Sequence, residues 1–188
     1  WQLRAITCEI PKINLGDYKK DIAGIARGKQ IWTPEKGSPK QGKENEKDLS
    51  REEKEQEVMK ALLNSIKVTV PKILIDEDVN SRLSQLLERI EKLGLTLESY
   101  LSSLRKTPDS LRKEYKEQSR QSITLDLVLN EIAKQEEIKV SKEQVEAAIK
   151  ASGADPTLKE KLDTPEQRRF IEAILRKRAA LDSLIALI

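Results

Sequence analysis

Histidine is absent from the 188 residues, and with it go the commonest general base, the orienting member of a catalytic triad and the commonest zinc ligand. The single cysteine, Cys8, has no partner for an intrachain disulfide and fits a reducing compartment. Set among alternating apolar residues, it reads as a small packed side chain rather than a reactive thiol. Aromatic residues make up only 3%, too few for the strand-rich sandwiches and barrels that draw on aromatic and β-branched side chains. No window long enough to span a bilayer is free of charge, and no signal-peptide pattern opens the chain. A soluble, cytoplasmic protein with no membrane partner is therefore expected. The first residue is Trp1 rather than Met, so the sequence is expected to be a fragment or a processed form.

What is abundant is charge. Charged residues make up 36%, with 35 basic against 32 acidic side chains, and the net charge is only +3. The two signs are interspersed, so no nucleic-acid stripe forms. A charge-rich, aromatic-poor chain suits long solvated helices, and an all-α class is expected.

Trp1 to Ile10 alternates as a strand does, with Leu3 and Ala5 on one face and Ile6, Cys8 and Ile10 on the other, until Pro11 interrupts it. From Gly28 to Ser50 the composition turns to Gly, Pro and charge, with Ile31 and Trp32 almost the sole apolar residues. This stretch is read as a linker. Ser50 and Glu53 then form a capping-box pair that opens a helix with Val58, Ala61, Leu62 and Ile66 on one face. After Pro71 a second helix repeats Val79, Leu83, Leu86, Ile90 and Leu93 as a narrow seam, ending at Gly94. A short helix over Leu97 to Leu104 follows.

Thr107 and Pro108 set the start of a long helix reaching about Glu136. Its second half is apolar on nearly every side, through Ile123, Leu125, Leu127, Val128, Leu129 and Ile132, and must be buried or must bury something. Ser141 with Gln144, and Thr164 with Gln167, mark two further helix starts. The last helix carries Phe170, Ile171, Ile174, Leu175, Leu181, Leu184 and Ile185.

Catalytic and nucleotide motifs are weak. The carboxylates are evenly matched with Lys and Arg along helix faces and single out no acid–base pair. Gly37 to Lys43 imitates a phosphate-binding loop, but Glu44 stands where Ser or Thr must ligate magnesium, and Pro39 removes an amide. Neither an enzyme nor an ATP-driven machine is expected, and no cofactor or metal.

From Arg51 to Ile188 the chain contains Met59-Lys-Ala-Leu-Leu63, Ile66-Lys-Val-Thr-Val-Pro71 and Leu74-Ile-Asp-Glu-Asp-Val79, followed by Gly94-Leu-Thr-Leu-Glu-Ser-Tyr100-Leu101, Lys106-Thr-Pro-Asp-Ser-Leu111 and Ile138-Lys-Val-Ser-Lys-Glu-Gln144. In this order and spacing the stretch resembles trigger factor, the ribosome-associated bacterial chaperone family. A second stretch, Ala5 to Lys19, is similar to the end of the family's ribosome-docking domain. The resemblance implies a remnant of that docking domain over 1–27, a polar linker over 28–50 where the family usually has a prolyl isomerase domain, and an elongated helical client-binding domain with arms over 51–188. The family's docking signature is expected upstream. Gly24-Ile-Ala-Arg-Gly-Lys29 imitates it but lacks its Phe and is read as the start of the linker.

What the resemblance implies for function is an ATP-independent chaperone module that holds unfolded or nascent polypeptides on apolar helix faces. The ribosome would be reached only through upstream residues, and a homodimer is the other assembly allowed for. Isomerase activity is not expected without its domain. The client-facing candidates are Leu86, Leu87, Leu127, Val128, Ile171 and Ile174. A periplasmic SurA-like export or folding chaperone shares this helical module, and a helical oligomerisation scaffold is the other alternative.

Overall fold

The computed structural model describes residues 1, 7–9, 11–28, 50–151 and 164–188. Among these residues the regular structure is entirely helical, in agreement with the all-α expectation. Residues 7–9 are irregular, and the rest of the strand expected over Trp1 to Ile10 lies, apart from Trp1, outside the described residues. So do the phosphate-loop imitation at Gly37 to Glu44 and nearly all of the linker expected over 28–50. The chain forms two compact units. One comprises Trp1–Ile13 and Lys67–Asp126, the other Asn14–Ile66 and Leu127–Ile188.

Seven helices are described: α1 (Tyr18–Gly28), α2 (Arg51–Ser65), α3 (Lys72–Lys92), α4 (Leu97–Ser103), α5 (Pro108–Gln135), α6 (Lys142–Ala151) and α7 (Pro165–Ile185). Their starts are chemically determined. Ser50 accepts from the Glu53 amide at 3.3 Å while Glu53 accepts from the Ser50 amide at 2.9 Å, so two amides without an intrahelical partner are satisfied at once. Ser141 and Gln144 repeat that reciprocal pair at the head of α6. Thr96, Thr107 and Thr164 cap α4, α5 and α7 by accepting from the amides of Ser99, Ser110 and Gln167.

Three helices end in the same way. Past α3, Gly94 at φ 68° lets the Leu95 amide reach the Ile90 carbonyl, 3.1 Å away. Past α4 and α5 the left-handed position falls to Arg105 at φ 53° and Glu137 at φ 50°, with the following amides bonded to Leu101 and Ala133. This is the Schellman closure, here twice made without glycine.

In the first unit the apolar seam of α3 buries Ile75, Val79 and Ile90, and Leu101 of α4 and Leu111 of α5 are buried with them. Leu93, expected to continue the seam, is 73% exposed, because the helix stops at Lys92 and the chain turns away at Gly94. Asp78 of α3 pairs with Arg82 at 2.6 Å. Burial pushes the Asp78 carboxyl up, but the neighbouring Ser119 hydroxyl and the Arg82 guanidinium outweigh that and hold it below its ordinary value.

The second unit is built on Val58, Leu62 and Ile66, Val128, Ile132 and Ala133, Val145 and Ile149, and Ala180 and Leu184, all buried. Helix α7 packs on both α2 and α6, and Arg51 of α2 meets Asp182 of α7 at 2.5 Å. Helix α1 also packs on α2, burying Tyr18 and Ile22. Residues 18–28, part of which reads as tail and linker start, are therefore helical.

Candidate functional site

Two apolar surfaces survive the packing. The first lies in the first unit. On the later turns of α3, Leu83 and Leu86 are half-buried and Leu87 is exposed. Leu83, Leu86 and Leu87 of α3, Leu97 and Leu101 of α4 and Leu111 of α5 enclose an open apolar groove of about 240 Å³. Leu87 is 41% exposed and Leu97 37%, both raised to solvent at the rim. Leu93, Leu95 and Leu104 are exposed in the same unit.

One edge of the groove is polar. Asp109 and Arg112, on the first turns of α5, line both the groove and an adjoining cleft shared with Asp76, Lys113 and Lys116. Asp109 sits in the first turn of α5, at the positive end of the helix dipole. Arg112, Lys113 and Lys116 are exposed and make no ion pair among the described residues.

The second surface is the outer side of α7 in the second unit. Ala180 and Leu184 turn inward and are fully buried, whereas Phe170 is 62% exposed and Ile174, one turn later, 43%. Burying a side chain of this size is worth about 1.5–3 kcal/mol, so leaving both in water is a standing cost that a bound apolar segment would remove.

The same unit contains a polar cluster around Glu136. Glu136, just past the end of α5, accepts from the Tyr18 hydroxyl at 3.0 Å and the Ser183 hydroxyl at 3.0 Å, and pairs with Lys19 at 2.9 Å. Burial pushes its carboxyl up, but the hydrogen bonds from Lys19, Tyr18 and Ser183 prevail and hold it below the usual range. Burial and the neighbouring carboxylate raise the Tyr18 phenol, and the contact with Glu136 raises the Lys19 ammonium. Every member is matched to another, so the cluster joins α1 and α7 to the end of α5 and offers no free acid or base.

Of the six side chains expected to face clients, Leu87 and Ile174 are exposed, and Leu86, Leu127 and Ile171 are half-buried. Val128, by contrast, is fully buried in the second unit, 0% exposed. Helical spacing missed Leu97, on a short helix without a stripe of its own, and Phe170, which it assigned to the last helix without separating its outer face from its inner one. No cluster of His, Cys, Asp and Glu able to hold a metal occurs among the described residues, and no described helix is long and apolar enough to cross a membrane.

Residues 37–186 match the family model for the bacterial trigger factor protein C-terminus. The chain belongs to the trigger factor family. The trigger factor of Clostridium beijerinckii is 26% identical over 169 residues, 87% of this chain and 39% of that protein. That of Thermoanaerobacter sp. strain X514 is 34% identical over 147 residues, 78% and 33% of the two chains. That of Carboxydothermus hydrogenoformans is 30% identical over 133 residues, 71% and 30%. This chain thus spans between three and four tenths of the length of these trigger factors. A solved structure of trigger factor domains from Thermotoga maritima is similar in fold, with a TM-score of 0.55 at 21% identity, covering 72% of this chain and 81% of that one. The match begins at residue 37, upstream of the Arg51 boundary that the capping pair suggests.

Proposed function

We propose that this trigger factor chain holds unfolded or nascent polypeptide segments without ATP, in the cytoplasm, using the leucine groove of its first unit and the outer face of α7 in its second. The observation that carries the reading is apolar surface left in solvent on well-formed helices: Leu87 and Leu97 at the groove, Phe170 and Ile174 on α7. Each patch is small. Covering about 200 Å² of apolar area yields on the order of 5 kcal/mol gross, most of which ordering the segment consumes. Weak grip at one patch and a second patch on the same chain give retention with quick release.

The chain is proposed to lack prolyl isomerase activity, since the family match is to the C-terminal part. A proline-limited refolding assay tests this, and a slow phase that accelerates in proportion to added chain refutes it. Holding is tested by light scattering of several denatured proteins, with and without the chain and without nucleotide. Suppression is expected from the native chain. Leu87→Ser with Leu97→Ser, and Phe170→Ser with Ile174→Ser, should each weaken it while far-ultraviolet circular dichroism stays native. Failure of the native chain to protect any of these proteins refutes the reading.

A further inference from the structure

Helix α1 is held by its surroundings rather than by its own sequence. It has eleven residues, Gly24 and Gly28 among them, and a helix of that length is marginal in water even without glycine. What seats it is one narrow face. Tyr18 is almost wholly buried and Ile22, one turn later, is fully buried, where α1 packs on α2. Leu15, just before the helix, is buried as well, so the anchors recur at spacings of three and four. Lys19, Lys20 and Asp21 on the remaining faces are exposed. The polar hold has a single centre, Glu136, which takes the Tyr18 hydroxyl at 3.0 Å and the Lys19 ammonium at 2.9 Å. A short amphipathic helix with so few anchors is the kind of element that opens while the rest of its unit stays folded.

We propose that α1 is a releasable strap, an internal competitor that occupies an apolar seat on α2 and is latched there by Glu136. When the strap leaves, the seat accepts a segment of the same pattern, an aromatic residue followed four positions later by a branched aliphatic one. The strength of the latch then sets how much of the seat is free. For what takes the vacated seat, the inference rests on the polypeptide-holding reading, to which it adds a regulating element within the chain itself.

Two substitutions in the full chain move the strap in opposite directions. Tyr18→Phe keeps the ring and removes the hydroxyl that Glu136 accepts from. Gly24 is exposed within α1, and a Cβ there would meet nothing within 4 Å, so Gly24→Ala strengthens the helix without a clash. Hydrogen exchange reads the opening. In the native chain the amides of Lys20 to Gly24 should exchange at least about tenfold faster than those of Val58 and Ile132. Tyr18→Phe should speed the α1 amides by about twofold to tenfold, and Gly24→Ala should slow them by about twofold to fivefold. Fluorescence anisotropy of a dye-labelled peptide with the sequence of residues 14–28 reads the vacated seat. Its affinity should rise in Tyr18→Phe and fall in Gly24→Ala by the same factors, because apparent affinity scales with the fraction of chains whose seat is open. Suppression of aggregation should follow that order. The strap is overturned if α1 exchanges no faster than the core amides, if no chain binds the peptide, or if affinity is equal in the three chains or shifts the same way in both variants. Peptide binding in the expected order, with no chain suppressing aggregation, upholds the strap and refutes the holding reading.

Discussion

The hydroxyl of Tyr18 donates to Oε1 of Glu136 across 118 positions of sequence, at 3.0 Å. That bond ties α1 to the far end of α5, and with Lys19 and Ser183 it gives one carboxylate three partners from two other segments. Tyr18→Phe should cost about 0.5–1.5 kcal/mol and Glu136→Gln about 1–2 kcal/mol, since the latter leaves two hydroxyls and an ammonium with a weaker acceptor. Urea unfolding monitored by circular dichroism measures both. A Glu136→Gln chain as stable as the native one would show the cluster to be incidental.

The same cluster, together with Asp78 in the first unit, fixes a pH dependence with two limits. The Glu136 and Asp78 carboxyls lie below their ordinary values of 4.5 and 3.8 in the folded chain, so their contribution is complete above those values and is lost as pH falls through the lower folded ones. The Tyr18 phenol and the Lys19 ammonium lie above their ordinary values of 10.0 and 10.5, so theirs is complete below those values and is lost as pH rises through the higher folded ones. Stability should be flat at neutral pH, fall in strong acid and fall again in strong base. Glu136→Gln should flatten the acid limb, which thermal unfolding across pH will show.

Val128 and Phe170 provide a contrast between core and surface. Val128→Ala empties part of a fully enclosed site and should cost about 1.5–3 kcal/mol. Phe170→Ser, at a residue 62% exposed, should change stability by no more than about 0.5 kcal/mol yet weaken aggregation suppression. Chemical unfolding and light scattering on the two variants should rank them in opposite orders.

Glu137 occupies a left-handed backbone position that costs a residue with a side chain about 1–2 kcal/mol. Glu137→Gly should raise stability by about 0.5–1 kcal/mol, the difference between that strain and the added freedom of glycine in the unfolded chain. A lower melting temperature would mean that the Glu137 side chain contributes something the turn geometry does not.

Much of the fold could be read in advance because its determinants are local. Ser50 with Glu53, Thr107 before Pro108, Ser141 with Gln144 and Thr164 with Gln167 each announce a helix within a few residues, and each cap forms. Helix α1 gave no such notice. Gly24 and Gly28 weaken its intrinsic propensity, and what holds it is distant: Tyr18 on Glu136 and Ile22 in the core. The surfaces were legible only in part for a related reason. Spacing shows that Val128 and Leu87 belong to apolar stripes, but only the neighbouring helices decide that one is sealed and the other left at a rim.

The reciprocal caps have a kinetic consequence. Since each is closed between residues three apart, helix boundaries can be set on the microsecond scale of local helix formation, before any distant segment arrives. The Tyr18 to Glu136 bond waits on closure of a loop of more than a hundred residues. Refolding should therefore show most of its helical signal in the dead time of rapid mixing, with protection of the Tyr18 hydroxyl and the α1 amides acquired last.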